Sequence, residues 1–334
     1  MHAGVAVDAD RAKKRVLCLR PAIDFTDVGV VVPADLDVSY VADERDVKKI
    51  PADVEGLVLP SVGRALAPSM FDEAVALRLV QFTGAGVDRV PAELVAKSGA
   101  AVCNVPGASA SDVAAYVVVA AGLLLRGTLL GHDLVLAGRY DEARRELVPK
   151  NARGFRDVHV GVIGLGNIGS AVAHAFHGLG AIPRWYDPAP VSDDVNVYER
   201  ADFSELLRWS DVLTIHVPLV ATTKGLIGKD ELALLPRGSV VVNAARGGIV
   251  DEAALVDALD IGHVSGVALD VFEEEPLPAD SPLIAAARRH AGRVFLTPHI
   301  GGVTRQAAAI LFERAWANVR SVLVEGREPA YRVI

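Results

Sequence analysis

Beyond Lys14 the chain alternates between short runs of β-branched and apolar residues and longer stretches whose apolar positions recur at helical spacing. Runs at Arg15–Arg20, Val38–Val41, Gly56–Pro60 and Arg78–Phe82 predict strands, and Pro68–Ala76 predicts a helix. Strand and helix in alternation make βαβ units, which call for a parallel sheet with helices on both faces. From Ser109 to Leu130 the pattern is helical and mostly apolar, with Ser109 or Ser111 as N-cap and Gly131 as a stop. Such a helix could bridge two domains. The charged stretch Ala137–Arg156 holds Pro149 and reads as a surface connection. A second, cleaner series follows, with strands at Val158–Ile163, Pro183–Tyr186, Val212–Val217, Ser239–Asn243, Val264–Leu269 and Val294–Leu296 and helices such as Ala171–Gly178 and Glu252–Leu259. Six strands with intervening helices make a full dinucleotide-binding sheet. A long helix over Arg305–Glu325 closes the pattern, with Leu311, Phe312, Trp316 and Val319 among its apolar positions.

Length turns this pattern into two domains, because 334 residues exceed what one core supports. Hydrophobic residues make up 51 % of the chain, yet no uncharged apolar run approaches the ~20 residues of a spanning helix, so no membrane association is expected. The opening Met1–Lys14 lacks an apolar segment with a cleavage site and reads as a polar tail, which points to the cytoplasm. Cys18 and Cys103 stand apart from each other and from any cluster of histidines, which argues against disulfides and against a metal site. A net charge of −8 without a dense Lys/Arg block makes nucleic acid an unsuitable partner.

Chemistry first shows at Gly164-Leu-Gly166-Asn-Ile-Gly169, which follows a predicted strand and opens a predicted helix. The glycines serve the tight turn, the close approach of a pyrophosphate and the packing of helix on strand. A glycine-rich turn alone would be ambiguous, but the next strand ends at Asp187, near the ~20-residue offset where a carboxylate meets the ribose hydroxyls. A carboxylate there favours NAD(H) over NADP(H), whose 2′-phosphate it repels, and no Arg follows it directly.

Three further motifs lie at ends of later strands, where ligands bind in such sheets: Asn243-Ala244-Ala245-Arg246, Asp270 to Glu275-Pro276, and Thr297-Pro-His299. Reduction of a keto acid needs an acid titrating near neutrality, and His is the natural choice. A carboxylate beside it favours the imidazolium and orients the ring. An Arg supplies a permanent charge for the substrate carboxylate. Taken singly, Arg246 could be a surface ion-pair partner, Glu275 a solvated loop charge and His299 a core or capping histidine. Together they form a set.

With these motifs, joined by Gly84-Ala85-Gly86-Val-Asp88 and His216-Val217-Pro218-Leu219, the chain resembles the D-isomer-specific 2-hydroxyacid dehydrogenases over almost its whole length from Arg15. The resemblance implies an α/β fold of two doubly wound parallel-sheet domains, with a Rossmann dinucleotide-binding domain over 108–299 inserted in a flavodoxin-like substrate domain over 1–107 and 300–334. It implies His299 as acid/base, Glu275 as its partner and Arg246 as substrate clamp. The amides around Ala85 and Gly86 would bind the substrate carboxylate across a cleft. In the cofactor site, Gly164, Gly166 and Gly169 would form the turn, Asn167 and Ile168 would lie against the pyrophosphate, and Asp187 would meet the ribose. Val217, Ala244 and Ala245 would line the cofactor channel, while Asp270 would hold the nicotinamide carboxamide. His216 would contribute backbone rather than imidazole chemistry. Of the acidic run, Glu273 and Glu274 are expected to be solvated. A homodimer through the NAD-binding domains is also implied. Departures from the family pattern fall at Ala115, where an acidic residue is common, and at Tyr140, near a frequent Trp.

For the substrate, phosphoglycerate-type members would bring Arg to the positions of Pro60 and Phe82, so a small unphosphorylated 2-oxo or 2-hydroxy acid is expected, of the glyoxylate or hydroxypyruvate type, although Arg64 could compensate in part. The alternatives are D-3-phosphoglycerate dehydrogenase itself and an NADH-sensing, corepressor-like binding protein.

Overall fold

A computed structural model describes residues 13–91, 98–147, 152–189 and 198–333. The N-terminal tail up to residue 12 and Pro149 lie outside the described residues. The chain divides into two compact units, Met1–Ala108 with Ala308–Ile334 and, between them in sequence, Ser109–Ala307.

In unit 1, β1 (Lys14–Cys18), β2 (Leu36–Tyr40), β3 (Gly56–Leu59), β4 (Leu79–Phe82) and β5 (Ala101–Cys103) form one sheet in the order β2-β1-β3-β4-β5. Every pairing is parallel, and the order is the flavodoxin-like one. Strands β3, β4 and β5 are buried at every residue, as expected of a parallel sheet covered on both faces. One cover is the C-terminal helix, whose Phe312 and Trp316 close on Phe25 with ring centroids 4.8 and 5.4 Å away. The opposite face packs Ile50, Leu57, Leu59, Val80 and Phe82.

Unit 2 holds β6 (His159–Ile163), β7 (Ile182–Tyr186), β8 (Glu199–Arg200), β9 (Val212–Ile215), β10 (Ser239–Asn243), β11 (Val264–Leu269) and β12 (Val294–Leu296). They run parallel in the order β12-β11-β10-β9-β6-β7-β8. The order reverses between β6 and β9, and ligands of doubly wound sheets bind at that switch point, beyond the strand carboxyl ends. This is a Rossmann sheet with one strand more than the six read from the sequence.

Other expectations need correction. Pro68–Ala76 is not a helix; only a 3-10 turn forms at Pro68–Phe71, because the Met70 carbonyl accepts from Ile50 N at 2.8 Å instead of continuing a helical ladder. The bridging helix runs Ala110–Leu125 rather than to Leu130, and Gly131 lies inside a second helix, Thr128–Leu136. The break is at Gly127, which takes a left-handed conformation with φ 61°. Ser109 stands at the N-cap position without a side-chain capping bond. The supposed surface connection contains a helix, Tyr140–Leu147, whose Leu147 side chain lies against both Gly127 and Gly131. The return from unit 2 falls after Ala307 rather than after His299. Residues 300–304 are tied into unit 2 by Ile300 N and Gly301 N on Asp270 and by Thr304 Oγ1, which donates to Asp112 at 2.7 Å.

Candidate active site

The glycine turn is built by close approach. Gly164 has φ 90°, and a side chain there would place its Cβ 2.7 Å from the His216 carbonyl oxygen and 2.9 Å from Val217 Cγ1. At Gly169 an added Cβ would meet the Gly164 carbonyl oxygen at 1.8 Å, so the helix Asn167–Gly178 presses onto the turn only because both positions are glycine. Around Gly166, at the N-cap, a Cβ would meet nothing within 4 Å. The open space therefore lies where the first helical amides, including those of Asn167 and Ile168, lack partners within the helix and where the dipole is positive. Open space at free amides and a positive dipole end is suited to an anion. Asp187 stands beyond β7, its Oδ2 accepting from Leu165 N at 2.8 Å and its Oδ1 from Ala189 N at 2.9 Å. These bonds fix the carboxylate beside the glycine turn, so the residues fit a dinucleotide: amides for the pyrophosphate and a carboxylate for the ribose.

The acid/base candidates meet at the carboxyl ends of β10, β11 and β12. His299 Nδ1 and Glu275 Oε2 are 2.9 Å apart, with both side chains about four-fifths buried. Burial alone would raise the Glu275 carboxyl, but the hydrogen bond and charge of His299, the Phe272 amide and the charge of Arg246 together hold it below the usual range. The neighbouring Glu273 and Glu274 are exposed, so among the three it is Glu275 that reaches the histidine. His299 has φ 56°, a left-handed conformation that is uncommon outside glycine. Its amide donates to the Asp270 and Thr297 carbonyls at 2.8 and 3.0 Å.

Asp270 is 2 % exposed and anchors the same loop through its side chain. Its Oδ1 accepts from Thr297 Oγ1 at 2.6 Å and Ile300 N at 2.8 Å, and its Oδ2 accepts from Gly301 N at 2.7 Å. The turn carrying Arg246 is clamped by Asn243, which accepts from Ala245 N at 3.0 Å and donates to the Arg246 carbonyl at 2.9 Å. Arg246 Nη1 in turn donates to the Ala245 carbonyl at 2.7 Å. At Gly247 a Cβ would stand 1.8 Å from the Phe272 carbonyl oxygen, so the arginine turn lies flat on the backbone of the glutamate loop. The structure thus gathers Arg246, Glu275, His299 and Asp270 in unit 2, with the glycine turn and Asp187 at the carboxyl ends of β6 and β7. Ala85 and Gly86 belong to unit 1, in the loop after β4.

Sequence reasoning passed over several residues that hold these groups. Tyr116 is one: its hydroxyl lies 2.5 Å from Thr297 Oγ1, whose own proton goes to Asp270, so the tyrosine is the donor. Burial pushes its hydroxyl up to about 12, keeping it protonated. Its place on a mostly apolar helix carries no sequence signal for this role. Glu252 is another, accepting from Glu273 N at 2.7 Å and thereby holding the glutamate loop. Arg89, 1 % exposed, donates to the Pro60 and Arg64 carbonyls at 2.9 Å each and pairs with Glu44 at 2.5 Å. None of its partners is near it in sequence.

The sequence profile of the D-isomer specific 2-hydroxyacid dehydrogenase NAD-binding domain matches residues 120–301. The (S)-sulfolactate dehydrogenase of Chromohalobacter salexigens is 36 % identical over 250 residues, covering 74 % of this chain and 78 % of that protein. The hydroxypyruvate reductase of Thermotoga maritima is 33 % identical over 274 residues, 82 % of this chain and 86 % of that one. Against the D-3-phosphoglycerate dehydrogenase of Bacillus subtilis the chain is 34 % identical over 71 % of its own length, but it spans only 44 % of that relative. Among solved structures, a D-lactate dehydrogenase from Treponema pallidum superposes with a TM-score of 0.75 at 27 % identity, covering 96 % of this chain and 99 % of the other. By its fold, its motifs and these relatives, the chain belongs to the D-isomer-specific 2-hydroxyacid dehydrogenase family.

Proposed function

We propose that the protein is an NAD-dependent oxidoreductase that interconverts a small 2-oxo acid and the corresponding D-2-hydroxy acid. The observation that carries this reading is the 2.9 Å pairing of His299 Nδ1 with the Glu275 carboxylate beside Arg246. With Nδ1–H donated to Glu275, Nε2 of His299 is the atom that gives a proton to the carbonyl oxygen in reduction and takes it back in oxidation. An ionised Glu275 stabilises the imidazolium and fixes the ring. Arg246 holds the substrate and stabilises charge developing on its oxygen. Bound NADH supplies the hydride. Gly164, Gly166 and Gly169 shape the turn, Asn167 and Ile168 lie against its pyrophosphate, and Val217, Ala244, Ala245 and Asp270 serve its nicotinamide end. In unit 1, the amides of Ala85 and Gly86 take the substrate carboxylate.

Asp187 supports a preference for NAD(H), since a carboxylate fixed by two amides repels a 2′-phosphate. A small unphosphorylated acid of the glyoxylate or hydroxypyruvate type is favoured over a phosphoglycerate-type substrate: Phe82 is fully buried, and the Pro60 carbonyl is taken by Arg89. A homodimer through the NAD-binding domains belongs to the same reading, supported by exposed Val135, Leu136 and Tyr140 in unit 2. Buried, unpaired Cys18 and Cys103 suit a reducing cytoplasm. The test is NADH oxidation at about 340 nm, the absorbance of the reduced nicotinamide, with glyoxylate, hydroxypyruvate, pyruvate, 2-oxobutyrate and 3-phosphohydroxypyruvate, repeated with NADPH. Turnover is expected with the unphosphorylated acids and NADH; silence throughout, with NADH bound, would refute the reading.

A further inference from the structure

The loop Gly84–Gly86 follows β4, and two neighbours at the end of β5 hold its carbonyls. Val105 N donates to the Gly84 carbonyl at 2.9 Å, and Asn104 Nδ2 donates to the Ala85 carbonyl at 2.7 Å. Both peptides are trans, so in each plane the N–H points opposite to the C=O. Holding the Gly84 carbonyl therefore aims the Ala85 N–H away from residues 104–105, and holding the Ala85 carbonyl does the same for the Gly86 N–H. Among the described residues neither amide meets an acceptor. A donor on each carbonyl also polarises the peptide and strengthens the opposite N–H.

One of the two holds is backbone and survives any substitution. The other is a side chain, and its base is fixed: the Asn104 amide donates to the Tyr331 carbonyl at 3.3 Å, and its carbonyl accepts from the fully buried Gln81 at 3.4 Å. Gln81 is itself held by Asn318 at 2.6 Å.

We propose that Asn104 is a positioning residue for the substrate carboxylate, orienting the Ala85–Gly86 peptide so that the Gly86 N–H is presented as an anion donor before substrate arrives. The proposal rests on the reading of Ala85 and Gly86 as the carboxylate site. Without Asn104 the peptide can rotate, and each binding event must then order it. Substrate binding suffers while the chemistry, in the hands of other residues, continues.

The experiment compares Asn104→Ala and the near-isosteric Asn104→Asp in the full-length chain with the unsubstituted protein. Expected for Asn104→Ala is a rise in KM for the 2-oxo acid on the order of ten-fold, with kcat within about two-fold, as for loss of binding shared by ground and transition states. The inhibition constant of oxamate, an unreactive carboxylate analogue, rises in step, while NADH affinity and Tm stay put. For Asn104→Asp, whose carboxylate keeps the shape of the side chain but cannot donate to the Ala85 carbonyl, the KM defect is at least as large at about pH 7–8. An unchanged KM and oxamate constant, or a lowered Tm with unaltered KM in the folded fraction, would overturn the proposal. If the unsubstituted protein turns over no 2-oxo acid, the function proposed above fails separately. Calorimetry of oxamate binding to the NADH-loaded protein then decides the loop: weaker binding to Asn104→Ala supports the positioning role, and equal or no binding to either protein overturns it.

Discussion

His216 makes the NAD-binding unit sensitive to acid well above the range where carboxylates titrate. The residue follows β9, and its ring is sealed on one side: Nδ1 is buried and has no partner among the described residues, and Nε2 meets Thr214 Oγ1 at 2.8 Å. Burial pushes the imidazole from 6.5 down to about 3, so it is neutral in the folded protein. In the unfolded chain it titrates near 6.5, and between these values the unfolded state binds one more proton. Its contribution to stability is therefore fully present above pH 7 and lost progressively as pH falls through 6.5 toward 3. At pH 5 the loss works out to at most about 2 kcal/mol, 1.36 kcal/mol for each of the roughly one and a half pH units crossed below the unfolded value. Replacing His216 with Gln removes this term. Urea unfolding of both proteins at pH 7.5 and 5.0, followed by tryptophan fluorescence, to which Trp185 and Trp209 of unit 2 contribute alongside Trp316 of unit 1, reads it. The stability lost between the two pH values should be smaller in His216→Gln by up to about 2 kcal/mol, with unchanged m. Equal losses in the two proteins would refute the assignment of this proton uptake to His216.

Substitutions in the site are expected to separate its parts. His299→Ala should lower kcat/KM by a factor of roughly 10²–10⁴ with NADH affinity retained; loss of NADH affinity alone, by fluorescence titration, would contradict its role. Asp187→Ala should shrink the ratio of kcat/KM for NADH over NADPH by on the order of ten-fold or more, and an unchanged ratio would remove Asp187 from the ribose site. Gly247→Ala forces a Cβ onto the Phe272 carbonyl oxygen at 1.8 Å and the Glu273 amide at 2.6 Å, both of them backbone atoms. The glutamate loop must move, so a stability loss of about 2 kcal/mol or more and a fall in kcat are expected. Native Tm and kcat would show that the arginine turn can shift without disturbing Glu275.

The strands and the glycine turn were legible because both depend on local pattern: four buried residues in a row at β3 and β4, or Gly164 and Gly169 at fixed spacing. The break in the bridging helix was not. Gly127 and Gly131 stand one helical turn apart, and composition does not reveal that the first adopts φ 61° while the second only makes room for Leu147. β8, two residues long, carries too little pattern to read. Arg246, Glu275 and His299 stood out because they sit in short motifs at strand ends. Tyr116, Glu252 and Arg89 did not, since each acts on a partner more than 20 residues away in the chain. Three consecutive glutamates look alike in sequence, and only the geometry shows why Glu275 is the one that pairs with His299.

The two ends of unit 2 lie together: a Cβ on Gly302 would touch Ser109 at 3.3 Å, and Thr304 reaches Asp112. Unit 1, by contrast, is complete only when Phe312, Trp316 and Asn318 arrive to cover Phe25 and Gln81. A chain emerging from the ribosome therefore holds a finished NAD-binding unit before its first-made sheet has a second face. That order is also economical in entropy. Closing a disordered loop of roughly 200 residues would cost on the order of 5 kcal/mol, whereas the folded insert delivers both of its ends to the same place and leaves almost none of that cost to be met when the last helix docks.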